Sequence, residues 1–167
     1  MEKKQTPDAV DRILAQWQCE RPDLDVTPMG LLGRLGRLHE QLARNIEAVM
    51  QSYGLNSSSF DVLATLRRAG SPYQLPPSDL WATMMVTSGT MTNRIDQLEK
   101  QGLVQRLPNP QDRRSLLIAL TDKGFALIDK AVTGHVANQH RLVSMLPPEQ
   151  QAALDDLLRQ FLAGFEP

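Results

Sequence analysis

One cysteine, Cys19, stands in 167 residues. A single thiol excludes an internal disulfide framework, the usual staple of small secreted domains. Aromatic side chains are also sparse, at 5% of the chain. No apolar run approaches the length of about 18 residues that a membrane-spanning helix needs. The opening Met1-Glu2-Lys3-Lys4-Gln5 lacks the apolar core of a secretory signal, so a cytoplasmic location is expected. Charge of one sign is missing too: 18 Lys and Arg face 19 Asp and Glu, a net charge of −1. The protein as a whole is not a basic patch, and any affinity for nucleic acid must rest on local charge.

Catalytic signatures are absent as well. The sequence contains no Gly-x-Ser-x-Gly elbow, no phosphate-binding glycine loop and no dinucleotide fingerprint, which argues against an enzyme. It has no Cys-x-x-Cys or Glu-x-x-His spacing. Of the three histidines, His39, His135 and His140, the last two stand five apart and do not share a helical face. No metal and no cofactor is expected.

Apolar residues make up 41% of the chain and charged residues 22%, ordinary values for a globular protein with a buried core. Val10, Ile13, Leu14 and Trp17 recur at helical spacing over about 8–19. The stretch from Arg21 to Pro28 interrupts that pattern, since Pro22 and Pro28 push the residues before them out of the α region. A long helix is predicted over roughly 28–53, with Leu31, Leu35, Leu38, Leu42, Ile46, Val49 and Tyr53 as its apolar stripe. Ser57 is the expected cap of the next helix, which carries Phe60, Leu63 and Leu66 and ends near Gly70. Ser71-Pro72-Tyr73 reads as a loop. Pro76-Pro77 opens a short helix through Leu80, Trp81 and Met84. After a brief break a further helix is expected over about 87–101, capped by Thr87, with Met91, Ile95 and Leu98 inward.

Gly102 closes that helix. Leu103–Leu107 reads as a strand, and the Pro-, Asn- and Asp-rich stretch from Pro108 to Arg114 reads as a turn. Ser115–Leu120 reads as the return strand, with Leu116, Ile118 and Leu120 on one face. Thr121 is the expected cap of a long helix to about Leu146, and Pro147-Pro148 opens a last one carrying Leu154, Leu157, Leu158, Phe161 and Leu162. The fold class is therefore mainly α with a small antiparallel β wing.

Two short helices, a tight break and a β-hairpin make the pattern of a winged helix-turn-helix, whose second helix enters the major groove of DNA. Small polar residues are needed at that helix's exposed start. Thr87, Ser88, Thr90, Thr92 and Asn93 supply hydroxyls and an amide for base edges or phosphates, and Gly89 lets the backbone approach. From Thr87 to Ser115 five cations (Arg94, Lys100, Arg106, Arg113, Arg114) stand against three anions (Asp96, Glu99, Asp112), a local excess of positive charge. Arg113 and Arg114 at the wing tip are placed to reach the DNA backbone or a narrow minor groove, with Asp112 orienting one of them by ion pairing.

The run Met85-Val86-Thr87-Ser88-Gly89-Thr90-Met91-Thr92-Asn93-Arg94-Ile95-Asp96-Gln97-Leu98-Glu99-Lys100-Gln101-Gly102-Leu103-Val104 carries a family resemblance. So do Asp112-Arg113-Arg114-Ser115 and Leu120-Thr121-Asp122-Lys123-Gly124. Over about 28–165 the sequence resembles the MarR family of regulators. The resemblance implies a winged helix dimer, with residues 55–120 as the DNA-binding lobe and 1–54 and 121–167 as interlocking dimerisation helices. It also implies binding to a pseudo-palindromic double-stranded operator, repression, and release by a small aromatic or phenolic effector. A narrower resemblance rests on Trp17, Pro22-Asp23-Leu24-Asp25, Phe60-Asp61-Val62-Leu63 and Thr92-Asn93-Arg94-Ile95-Asp96, which are similar to the urate-responsive branch. That likeness implies Trp17, Asp61 and Arg94 as effector-binding residues.

Two other readings stand beside these. Cys19 as a single-cysteine redox sensor is an alternative switch, resting on exposure and a lowered thiol pKa. A helical interaction module without DNA binding is the alternative of another class.

Overall fold

The structure is a computed structural model that describes residues 6–84, 91–112 and 114–165. Among the described residues seven helices and three strands run α1 (Ala9–Glu20), α2 (Thr27–Ser52), α3 (Ser57–Arg68), β1 (Gln74–Leu75), α4 (Pro77–Thr83), α5 (Met91–Lys100), β2 (Val104–Pro108), β3 (Leu116–Leu120), α6 (Asp122–Val143) and α7 (Pro148–Ala163). The chain forms two compact units, Met1–Asn45 and Ile46–Pro167, with the boundary inside α2.

In the first unit, α1 starts at a capping box. Asp8 accepts from the backbone N–H of Val10 and Asp11, while the Asp11 carboxylate accepts from the Asp8 N–H at 2.8 Å. Arg34 reaches across from α2 to both carboxylates, at 2.9 Å from Asp8 and 2.5 Å from Asp11. The two helices meet where α2 has little side chain. A methyl group at Gly30 would press on Leu14, and one at Gly33 would touch Val10. Val10 and Val26 are the buried apolar residues here, whereas Ile13, Trp17, Met29, Leu31, Leu32 and Leu38 are exposed.

The second unit holds the main core, built from Met50, Leu55, Phe60, Val62, Leu63, Leu66, Leu80, Ile95, Leu98, Val104, Ile118 and Ile128 among others. From the C-terminal half of α2, Met50 is the residue that becomes buried, one position beyond the expected stripe. Gly54, at φ 73, turns the chain out of α2. The cap of α3 is Asn56, whose Oδ1 accepts from the Ser59 N–H at 2.8 Å, and not Ser57. Ser57 is the first helical residue, and its N–H and hydroxyl donate to the Glu47 carboxylate of α2.

The sheet has three antiparallel strands in the order β1-β3-β2. The hairpin pairs Val104 with Leu120 and Pro108 with Leu116. Gln74 and Leu75, between the expected loop and the helix at Pro76, pair with Ala119 and Ile118 as a third strand. β3 is thus the central strand, and α3, α4 and α6 all pack against it. This explains why Leu117 and Ala119 are buried along with Ile118 and Leu120, while Leu116 at the wing end is exposed. Arg67 lies over the Tyr73 and Phe125 rings, 5.3 and 4.6 Å from their centroids, and pairs with Asp129 of α6 at 3.0 Å. α7 buries no residue within the protomer and leaves Leu157, Leu158, Phe161 and Leu162 facing solvent.

Candidate nucleic-acid interface

The helix α5 is amphipathic in the sense its sequence demands. Ile95 and Leu98 go into the core, while Thr92 and Asn93 in the first turn are exposed. An exposed hydroxyl and amide at this end of a helix can meet base edges or phosphates. Arg94 is half-buried on the same helix, and Asp61 is 7% exposed on α3, which packs against α5. Thr87, Ser88, Gly89, Thr90 and Arg113, and with them the expected Thr87 cap, lie outside the described residues.

The C-terminal end of α5 closes in a Schellman turn. Gly102 takes φ 69, its N–H donates to the Glu99 carbonyl at 2.8 Å, and the Leu103 N–H donates to the Leu98 carbonyl at 2.9 Å. β2 follows at once, so the wing hangs from the helix by a short link.

A second tie is made by a side chain. The Arg106 guanidinium on β2 pairs with Asp96 at 2.5 Å and with Glu99, both on α5, and the Arg106 N–H donates to Glu99 at 3.3 Å. The hydrogen bond to Asp96, with the Glu99 charge beside it, raises the pKa of this arginine further above its usual value. Arg106 counts toward the local positive charge in the sequence, but the structure spends it on two internal carboxylates. The exposed cationic character of the segment therefore falls to other residues, of which Arg114 at the wing tip is exposed. Sequence reasoning missed this tie, although the spacing of Asp96 and Glu99, one turn apart, was a signal for a shared partner.

The tip itself is a set of side-chain-capped turns. The Asn109 Oδ1 accepts from the Gln111 N–H at 2.9 Å, and the Asn109 amide donates to the Ser115 hydroxyl at 3.0 Å. Asp112 accepts from the Arg114 main-chain N–H at 3.0 Å. Its contact with Arg114 is through the backbone, an Asx turn, and not through the guanidinium; the alternative ion pair with Arg113 lies outside the described residues.

Of the other candidates, Trp17 and Cys19 are both exposed on α1 and line one open hollow with Gln16 and Glu20. His135 packs its ring on Phe60 with centroids 4.9 Å apart, and burial lowers its pKa. Among the described residues no three His, Cys, Asp or Glu side chains group in a way that could hold a metal ion. No described helix is long and apolar enough to cross a membrane.

The profile of the MarR family matches residues 55–116, the segment from α3 to the wing. Among curated relatives, the HTH-type transcriptional regulator PecS of Dickeya dadantii is 44% identical over 149 residues, covering 89% of this chain and 90% of its own. The multiple antibiotic resistance protein MarR of Escherichia coli is 28% identical over 140 residues, covering 83% of this chain and 93% of its own. Among solved structures, a mutant E. coli MarR complexed with operator DNA superposes with a TM-score of 0.68 at 27% identity, covering 82% of this chain and 97% of that one. AbsC, a MarR family transcriptional regulator from Streptomyces coelicolor, gives 0.74 at 25% identity, over 85% and 96%. With a winged helix of this build and a relative this similar along nearly its whole length, the chain belongs to the MarR family and is a DNA-binding transcriptional regulator.

Proposed function

We propose that the protein is a homodimeric repressor that holds a pseudo-palindromic operator and leaves it when a small, flat, anionic ligand binds. The observation that supports operator reading best is α5, with Thr92 and Asn93 exposed at its start and the wing fixed to its side by Arg106. A related E. coli MarR has been crystallised with operator DNA, which favours the same use of α5 here. Two recognition helices about one helical turn apart then read two half-sites.

Dimerisation is supported by apolar residues that one protomer leaves in water. α7 offers Leu157, Phe161 and Leu162, and α2 offers Leu31, Leu32 and Leu38. Apolar patches of this kind on a soluble chain mark contact surfaces.

For the effector, the resemblance to the urate-responsive branch supplies the reading and the side chains suit it. The accessible Trp17 indole can stack on a flat ring, Arg94 can pair with an anion, and Asp61 can accept ring N–H bonds. A tenfold loss of operator affinity requires about 1.4 kcal/mol of coupling. The second reading, thiol oxidation, is favoured by one observation, the exposure of Cys19.

The test is fluorescence anisotropy of the protein on DNA from upstream of its own gene. Urate, other purines, salicylate-like phenols and peroxide are added side by side. Release by a purine or phenol, blunted in Trp17→Phe, supports the ligand reading. Release by peroxide alone, lost in Cys19→Ser, moves the switch to the thiol. Failure to bind that DNA at low salt defeats the operator reading.

A further inference from the structure

We infer that the first turn of α6 positions the recognition helix, with Thr121 and Lys123 as the positioning residues. The inference rests on the reading of α5 as the DNA-reading helix. The last carbonyls of a helix have no intrahelical partner and must find one elsewhere. The Schellman turn satisfies Leu98 and Glu99. Beyond it, Gln101, Gly102 and Leu103 present three carbonyls in succession, and residues 121–123 take all three. The Lys123 ammonium donates to the Gln101 carbonyl at 2.7 Å, the Thr121 hydroxyl donates to Gly102 at 2.7 Å, and the Thr121 N–H donates to Leu103 at 3.2 Å.

The same hydroxyl also accepts from the Gly124 N–H at 3.0 Å, so one oxygen both caps α6 and holds the end of α5. The close approach depends on Gly124, where an added Cβ would overlap the Leu103 carbonyl. α5 and α6 are therefore joined by directed bonds at a point where the backbone of Gly124 meets that of Leu103 directly.

Leverage makes this joint matter for DNA. Asn93 lies seven residues from Lys100, about 10 Å along the helix axis. A tilt of about 10° at the joint moves the reading end by nearly 2 Å, more than a hydrogen bond tolerates. Loosening the joint therefore costs base reading while leaving general attraction to phosphates intact.

The experiment uses the full-length protein and a duplex operator that the wild type selects from a random library. Thr121→Val keeps the branched shape and removes the hydroxyl, Thr121→Ser restores it, and Lys123→Met removes the ammonium. For Thr121→Val, operator affinity is expected to fall about tenfold, the scale of one misread base pair. Affinity for unrelated duplex is expected to stay within about twofold, and Thr121→Ser is expected to recover operator binding. Lys123→Met is expected to weaken operator binding with an unchanged salt slope; a slope lower by about one would make Lys123 a phosphate contact and overturn its positioning role. A merely structural loss in Thr121→Val lowers operator and unrelated binding together, and that result overturns the inference. So does operator binding by both variants as tight as the wild type's. A wild type that enriches no sequence removes the regulatory reading itself, and the inference with it, before any variant is compared.

Discussion

The Arg106 guanidinium lies 2.5 Å from the Asp96 carboxylate, so a wing strand is tied to α5, ten residues before it. The arginine side chain is 27% exposed, which leaves the pair screened from water only in part. Glu99 completes a three-membered cluster. Replacing Arg106 with Gln should cost roughly 1 kcal/mol, since part-exposed pairs contribute little each but networks contribute more. A double-mutant cycle with Asp96→Asn, read from urea midpoints, should give a coupling of roughly 0.5–1 kcal/mol. A coupling of zero would mean that the contact does not hold the wing.

Two glycine substitutions should move stability in opposite directions. Gly124→Ala drives a methyl group into the Leu103 carbonyl and should cost roughly 2–3 kcal/mol. Gly36→Ala adds a methyl group in α2 with nothing within 4 Å, and should stabilise the helix by up to about 1 kcal/mol. Thermal unfolding of both variants checks the pair. A loss at Gly36 would indicate that a second protomer packs against that position.

Periodicity made the helices legible, and the hairpin was legible from its turn residues. What escaped the sequence was decided at a distance. Asn56-Ser57-Ser58-Ser59 offers four residues able to cap, and the choice of Asn56 is coupled to Glu47, which takes Ser57, ten residues after it, into its own hydrogen bonds. β1 has two residues, too few to show alternation, and exists because β3 offers it an edge. Burial of both Leu117 and Ile118 follows from the central place of β3, which a strand's own pattern does not encode. In the candidate site, Thr92, Asn93 and Arg114 were readable because exposure at a helix start and a turn tip follows from local structure. The inward use of Arg106 was not, because charge counts say nothing about pairing across elements.

Acid should loosen the start of α1. Asp8 has a pKa below its ordinary value of 3.8, mainly because its carboxylate accepts from the Asp11 backbone, with Arg34 adding to the effect. A carboxyl group whose folded pKa is depressed contributes stability above its unfolded pKa, and loses it as pH falls through the folded value. The cap and the Arg34 clasp should therefore be intact at neutral pH and fail below about pH 4. Trp17 emission in a Trp81→Phe background reports the change, since Trp17 lies within α1. Asp8→Asn keeps a good capping residue and should remove the acid step, losing the ion pair of Arg34 with Asp8 while keeping the one with Asp11. An unchanged step in that variant would assign the transition to another carboxylate.

Arg114 and Asn93 should fail in different ways if α5 reads bases and the wing tip holds backbone. Arg114 is exposed on a turn that Asp112 fixes through the main chain, so the guanidinium is left to contact phosphate or the minor groove. Arg114→Ala should weaken operator and unrelated duplex alike and lower the dependence of log affinity on log salt by about one unit. Asn93 is exposed in the first turn of α5, where its amide can bond a base edge. Asn93→Ala should cost about 1–3 kcal/mol on the operator alone, leave the salt dependence unchanged and relax the preferred sequence at one position of each half-site. Neither side chain contributes to the buried core, so thermal unfolding should stay near that of the wild type for both. Anisotropy titrations at three salt concentrations on the operator and on an unrelated duplex separate the two patterns. If Asn93→Ala behaves as Arg114→Ala does, the start of α5 grips phosphate, and sequence reading must come from elsewhere on the recognition segment.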